Sequence, residues 1–265
     1  MIFKRELKRN LKSLIIWSVV LSGLILLTLS IYPQFAEQQN EMNKLLESYP
    51  EPIKKVFGMN ELNLGELMGF YGVEIYMMTT LLGSIYSAIL ASNILAKEEN
   101  EKTIEFLLSK PVGRSRIVSE KLLAVFVNIL ILNGVSTITS IIGFQFADDP
   151  DVPTDTFSLL TVATILLHLT FGAIAFMLSS MLKKTRSIMS FSLGIVLAAY
   201  FMSVMAGISE DLEVLKYFSP FKYVDAAQII NDNKLEPLYM FIMAAVIFIS
   251  VITSYMVYRK KDIAV

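Results

Sequence analysis

The one histidine in this chain, His168, is its only side chain that ordinarily exchanges a proton near neutral pH, and there is no cysteine. A paired-histidine or thiolate metal centre is therefore excluded. A serine hydrolase would present its nucleophile in a G-x-S-x-G turn and pair it with that histidine, and no such turn occurs. Nor is there a G-x-x-x-x-G-K-[ST] loop whose amides could cradle phosphates beside a lysine. What remains is polarity inside apolar runs: Glu74, Asn128, Asn133 and His168 each interrupt a stretch long enough to cross a bilayer. Ionisable groups there are costly and commonly functional. Glu74 sits about one turn from the end of its run, where it can reach water, whereas His168 lies among Leu166, Leu167, Leu169 and Phe171. Both are read as either structural or part of a substrate path, as are Asn128 and Asn133. No sequence neighbour completes a proton relay. Catalysis by this chain is not expected.

The most informative stretch is charged. Residues 97–121, KEENEKTIEFLLSKPVGRSRIVSEK, separate two apolar runs. At about 100° per residue, Glu98, Glu101 and Glu105 share one helical face, and Ile104, Leu107 and Leu108 form an adjoining apolar stripe. Pro111 stops the helix after Ser109 and Lys110, Gly113 follows as a second breaker, and Arg114 and Arg116 lead into the next run. The pattern predicts a short amphipathic helix, a hard turn and a basic re-entry. Its polar face is acidic, which disfavours simple adsorption to anionic lipid. A segment with that much order suits a surface on which another protein pushes. Glu98-Glu99 also lacks the arginine and histidine motifs of a glutamate-based intramembrane protease.

The elements that position these residues are apolar helices. Of 265 residues, 54% are hydrophobic, the mean hydropathy is +0.58, and no basic patch alternates with aromatics as nucleic-acid binding requires. Six runs are each long enough for a hydrocarbon core of about 30 Å: 14–32, 71–96, 122–146, 157–182, 188–208 and 237–258. The expected fold is thus all-α and polytopic, a single transmembrane domain over 1–265. The basic head 1–12 precedes a run too long for a signal-peptide core, so the first run is a retained span. Residues 33–70, 147–156 and 209–236 fall on one side, and the termini, 97–121 and the basic turn at Lys183, Lys184 and Arg186 on the other. That assignment gathers 17 of the 23 lysines and arginines on the second side and 16 of the 24 acids on the first. The excess of positive charge marks the second side as cytoplasmic, termini included. Helical spacing at Met42, Leu45, Leu46 and Tyr49, and again over 53–59, predicts short helices on the outer surface. Residues 209–236, with KYFSPFKYVDAAQII, mix aromatics and charge and are too broken to span. Their aromatics suit an interfacial belt. Small and polar residues of the third run, from Asn128 and Asn133 through Ser136, Thr137, Thr139 and Ser140 to Gln145, predict a face turned to another helix or a wet cavity.

The pattern Glu99, Glu101, Thr103, Glu105, Leu107-Leu108-Ser109, Pro111, Arg114, Lys121 resembles the cytosolic segment of type-2 ATP-binding-cassette (ABC) exporter permeases, and the six-run layout extends the likeness over the chain. In that family the segment links the second and third spans and docks on the ATPase subunit. For residues 209–236 the resemblance implies a partly re-entrant element instead of a belt. The resemblance implies a plasma-membrane permease that exports hydrophobic or amphipathic compounds such as drugs, antibiotics, peptides or lipid-like molecules. It implies two copies of a separate ATPase, which bind the ATP and Mg, no cofactor in this chain, and a second permease chain, identical or similar, in contact with membrane lipid. ATPase coupling then falls to Glu98, Glu101, Thr103, Glu105, Leu107, Leu108, Ser109, Pro111, Arg114 and Arg116. A scaffold or sensor that uses the same helix to bind a cytosolic regulator is the alternative.

Overall fold

In a computed structural model, the chain is described at residues 2–38, 49–50, 54, 61–100, 112–147, 152–182, 185–208 and 210–261. All regular structure among these residues is helical, and six helices are long and apolar enough to cross a membrane. They are Ile2–Glu37, Leu67–Ile94, Arg114–Phe144, Thr154–Met181, Thr185–Ile208 and Pro237–Lys260. Helices suit this setting because each satisfies its own backbone polar groups where water cannot.

Several helices outrun the apolar windows that announce them. The first starts at Ile2 rather than near residue 14 and continues through Pro33 to Glu37. The third starts at Arg114, so Glu120 and Lys121 belong to its opening turns rather than to a loop. Charged residues do not interrupt a helix that leaves the apolar window: Lys4, Lys8 and Lys12 of the first are exposed, whereas Glu6 and Lys121 are buried and ion-paired. The second span contains an irregularity with no sequence signal: Tyr71–Tyr76 is a π-helical turn, flanked by α-helix on both sides. Such turns are rare and concentrate at functional positions.

The second and fourth spans are the most enclosed, and the first, fifth and sixth expose most of their surface. The second packs on the fourth and fifth, the first on the third, and the sixth on the fourth. Small residues set the closest approaches. A Cβ at Gly83 would fall 2.1 Å from Cε1 of His168, one at Gly143 2.4 Å from Cδ1 of Leu29, and one at Gly172 2.8 Å from Cδ1 of Ile129. Polar side chains between helices bond their own preceding turn: Ser84 donates to the carbonyl of Thr80 (2.7 Å), Ser87 to Gly83 (2.8 Å), and Thr170 to Leu166 (2.8 Å). That local bonding lets hydroxyls be buried without a partner on another helix.

Between the fifth and sixth spans lie a 3-10 helix, Glu210–Phe218, and two short α-helices, Pro220–Tyr223 and Ala226–Asp232. Asp225 caps the last of these by accepting from the amides of Ala227 and Gln228, and Asn233 ends it in the left-handed conformation. The segment divides its aromatic residues between surface and core. Tyr217 and Phe218 are exposed, whereas Phe221, Tyr223, Val224 and Ile229 are buried in the core. Ser219 donates to the carbonyl of Ala199 (2.6 Å) and Tyr76 to that of Val224 (3.0 Å), which fastens the segment to the fifth span and to the π turn.

The described part of the 33–70 segment docks on the same end. Tyr32 donates to the carbonyl of Gly65 (3.0 Å) and Asn231 to that of Glu61 (3.1 Å). Of the short helices expected there, the runs at 39–48 and 55–60 lie outside the described residues. A Cβ at Gly69 would sit 2.0 Å from the carbonyl oxygen of Asn63, a backbone atom that no rotamer change can move aside. Gly69→Ala is therefore expected to lift residues 61–66 from the second span and to cost about 1–3 kcal/mol. Gly134→Ala, where the space is open, is the control. Thermal unfolding of the two variants in detergent checks this.

Candidate functional site

Two buried polar assemblies lie inside the bundle, and each joins helices distant in sequence. The first is a knot of charge where the first helix begins, the second span ends and the third begins. Ile2, Glu6 and Leu14 belong to one buried stripe of the first helix, so Glu6 enters the interior by helical spacing alone. Ile117, Lys121, Ala124 and Asn128 form the corresponding stripe of the third. Glu6 and Lys121 are both fully buried. The turn after Ile94 delivers Lys97 and Glu98 to the same place, and both are buried as well.

Lys97 donates to the Glu6 carboxylate, and Lys121 donates to Glu98 and to the carbonyl of Ile94. The Lys121 ammonium also lies 3.9 Å from Oε1 of Glu6. Arg5, 44% exposed, approaches from outside and donates to Glu98 at 3.2 Å. Two buried acids thus face two buried ammonium groups, with a guanidinium closing the open side. Buried charge is tolerated only when paired and hydrogen-bonded in this way. Around the knot, the amides of Leu95 and Ala96 donate to Ser179 of the fourth span (3.1 and 3.2 Å). The amide of Phe3 donates to Glu120 (3.0 Å), which also accepts from Nε of Arg116 (2.9 Å). Arg114 donates to the carbonyls of Arg259 (3.0 Å) and Lys261 (2.8 Å), which ties the third span to the end of the sixth.

The second assembly is a seam through the middle of the bundle. His168 presents Nδ1 to Oδ1 of Asn133 (3.1 Å) and Nε2 to the carbonyl of Thr80 (3.2 Å). Asn133 uses its amide nitrogen on the carbonyl of Ile129 (2.8 Å), so its oxygen is the atom left for the ring. Both ring partners are then acceptors. A neutral imidazole has one N–H and satisfies one of them; only the imidazolium satisfies both. Beside the ring is a cavity of about 20 Å³ whose lining includes Thr79, Ser136, Thr137, Thr161 and Thr164. That space fits one water molecule. Farther along, Tyr71 and Ser140 are hydrogen-bonded at 3.2 Å, and Ser22 and Thr139 at 3.0 Å.

Of the residues singled out from sequence for a path, the structure brings Asn133 and His168 together. Asn128 is buried apart from them: it donates to the carbonyl of Ala124 (2.6 Å), and its Oδ1 has no hydrogen-bond partner among the described residues. Glu74 lies on the π turn, partly exposed. The polar face of the third span is therefore mainly a helix-to-helix face, although Gln145 at its end is exposed. Of the residues expected to couple to an ATPase, Glu101, Thr103, Glu105, Leu107, Leu108, Ser109 and Pro111 lie outside the described residues. Glu98 is buried in the knot, while Arg114 and Arg116 open the third span. Sequence reasoning missed Glu6 and Lys97, and it quoted Lys121 as a motif position without giving it a role. The signal that could have found them is a charged residue in phase with an apolar helical stripe.

The architecture is that of a multi-pass membrane protein whose polar residues tie helices together. A family model described as ABC-2 family transporter protein matches residues 1–263. The chain belongs to the ABC-2 transporter family. It is a permease, and Lys97 and Glu98 of the knot lie between its second and third spans. No curated protein matches it.

Proposed function

We propose that this ABC-2 permease is the membrane subunit of an ATP-driven exporter and that a separate ATPase supplies the energy. The family match over residues 1–263 carries the reading, and the lack of a phosphate-cradling loop in the sequence agrees with it. Two permease chains, identical or similar, would pair with two ATPase subunits that bind ATP and Mg. The distribution of lysine and arginine supports cytoplasmic termini and a cytoplasmic 97–121 segment in the plasma membrane. Predominantly apolar spans suit a hydrophobic or amphipathic cargo.

Coupling is mechanical in this proposal. The ATPase presses on Glu101, Thr103, Glu105 and Leu107-Leu108-Ser109, and Pro111 passes the displacement to Arg114 and Arg116. Glu98 is the root of the segment. Because Lys97 and Glu98 are ion-paired to Glu6 and Lys121, a push on that root moves the first three spans together. The ATPase must bind the two permease states with different affinity for this to do work.

Reversing the charges with Glu101→Lys and Glu105→Lys is expected to reduce ATP-dependent export about tenfold, within the usual range of coupling energies. The amount of folded protein in the membrane should not change. Wild-type permease should co-purify with a stoichiometric ATPase. Full export by the double variant would remove the coupling role, and purification without an ATPase would remove the exporter reading.

A further inference from the structure

An apolar groove of about 350 Å³ runs between the third, fourth and sixth spans. Its walls include Leu122, Phe126 and Ile129 of the third, Leu169 of the fourth, and Ile247 and Val251 of the sixth. Gly172 and Ala173 form a floor without bulk. At one end the hydroxyls of Ser119 and Tyr255 close it, 2.6 Å apart. From Ser119 to Ile129 the third span rises about 15 Å, which is half of a hydrocarbon core of about 30 Å. The groove therefore has the depth of one leaflet, and Tyr255 stands where tyrosines usually mark the headgroup level.

The closed end is cationic. Arg116 precedes Ser119 by three residues and Arg259 follows Tyr255 by four, so each lies one turn beyond the hydroxyl pair on the face of its own helix. Both side chains are exposed, that of Arg116 at 70%. Glu120 accepts from Nε of Arg116, and the bonds of Arg114 to the carbonyls of Arg259 and Lys261 hold the two helix ends side by side.

We propose that this groove binds an anionic phospholipid, with one acyl chain between the spans and the phosphate against Arg116 and Arg259. The combination of an apolar slot one leaflet deep and a cationic rim selects this occupant. A second copy of the chain on the same face would set each rim against its like. The site faces the cytoplasmic leaflet, where anionic lipid is plentiful; that placement rests on the topology proposed above, but binding itself does not.

Native mass spectrometry of the purified full-length permease in detergent tests it, with phosphatidylglycerol and phosphatidylcholine of matched chains as probes. One phosphatidylglycerol should bind with roughly 10- to 30-fold preference, as two surface cations imply. The R116Q/R259Q variant alters exposed side chains only and should bind the two lipids alike. Val251→Trp, which fills the slot, should weaken both. Equal binding of the two lipids to the wild type, or unchanged phosphatidylglycerol binding by Val251→Trp, would overturn the site. So would a loss of permease dimers caused by Val251→Trp, which would make the groove a chain-to-chain interface. None of these readouts involves ATP or export, so they fail or succeed separately from the coupling experiment.

Discussion

Lys121→Met is expected to destabilise the permease by about 3–5 kcal/mol, the usual result of removing one member of a buried ion pair. The lysine is fully buried, and its ammonium bonds Glu98 and the carbonyl of Ile94 while standing 3.9 Å from Glu6. Methionine fills much of the same volume, so packing is nearly conserved and the loss is electrostatic. Two buried carboxylates are then left with Lys97 and the half-exposed Arg5, and one of them must take up a proton or draw in water. The midpoint of thermal unfolding in detergent should fall by roughly 6–20 °C for a chain of this size. Pairing the change with Glu98→Gln removes the stranded charge, so the double variant should recover part of the loss. Arg116→Gln, which breaks an exposed pair with Glu120, should lose no more than about 1 kcal/mol. A Lys121→Met protein that unfolds with the wild type would show that the knot contributes nothing to stability.

The knot also shows where sequence reading stops. The six spans were legible because lipid imposes a local requirement: about 20 apolar residues in a row. Pairing is not local. Glu6 and Lys97 lie 91 positions apart, and Lys121 lies 23 from Glu98. Nothing in the neighbourhood of any of them announces a partner. Counting apolar windows even worked against the result, because a window ends at the first charge and so places Lys121 outside the helix it belongs to. The phase of Ile117, Lys121, Ala124 and Asn128 carried the information instead. Asn133 and His168 were each conspicuous as polar residues in apolar runs, yet their contact, across 35 positions, needed the packing of the third span on the fourth. The π turn at Tyr71–Tyr76 contains Gly72 and the β-branched Val73 and Ile75, weak helix formers that occur in many regular helices, and its contacts with Leu62, Val224 and Ile230 come from distant segments. In the 209–236 segment, composition could not divide exposed Tyr217 and Phe218 from buried Phe221 and Tyr223, since all four are aromatic.

The tightest helix contact in the interior gives the second large effect. Gly83→Ala would put a methyl carbon 2.1 Å from Cε1 and 2.4 Å from Nε2 of His168. Those distances are far inside van der Waals contact, so either the ring turns or the second and fourth spans separate. Turning the ring is costly, because it lifts His168 from the Asn133 oxygen and the Thr80 carbonyl, one of which accepts the N–H of the neutral imidazole. Overpacking of this kind costs about 1–3 kcal/mol, and the displaced ring leaves the Asn133 oxygen buried without its partner, a further loss of about 1–3 kcal/mol. Gly83→Ala should therefore unfold at a lower temperature than Gly134→Ala, which meets open space. The decisive comparison is with His168→Ala. That change alone removes the seam's hydrogen bonds and opens a cavity, yet it also vacates the space the new methyl needs. Combined, the two should lose less than the sum of their separate losses, by about 1 kcal/mol or more. Strict additivity would mean that Gly83 is small for some reason other than His168, and that the second and fourth spans are spaced by another contact.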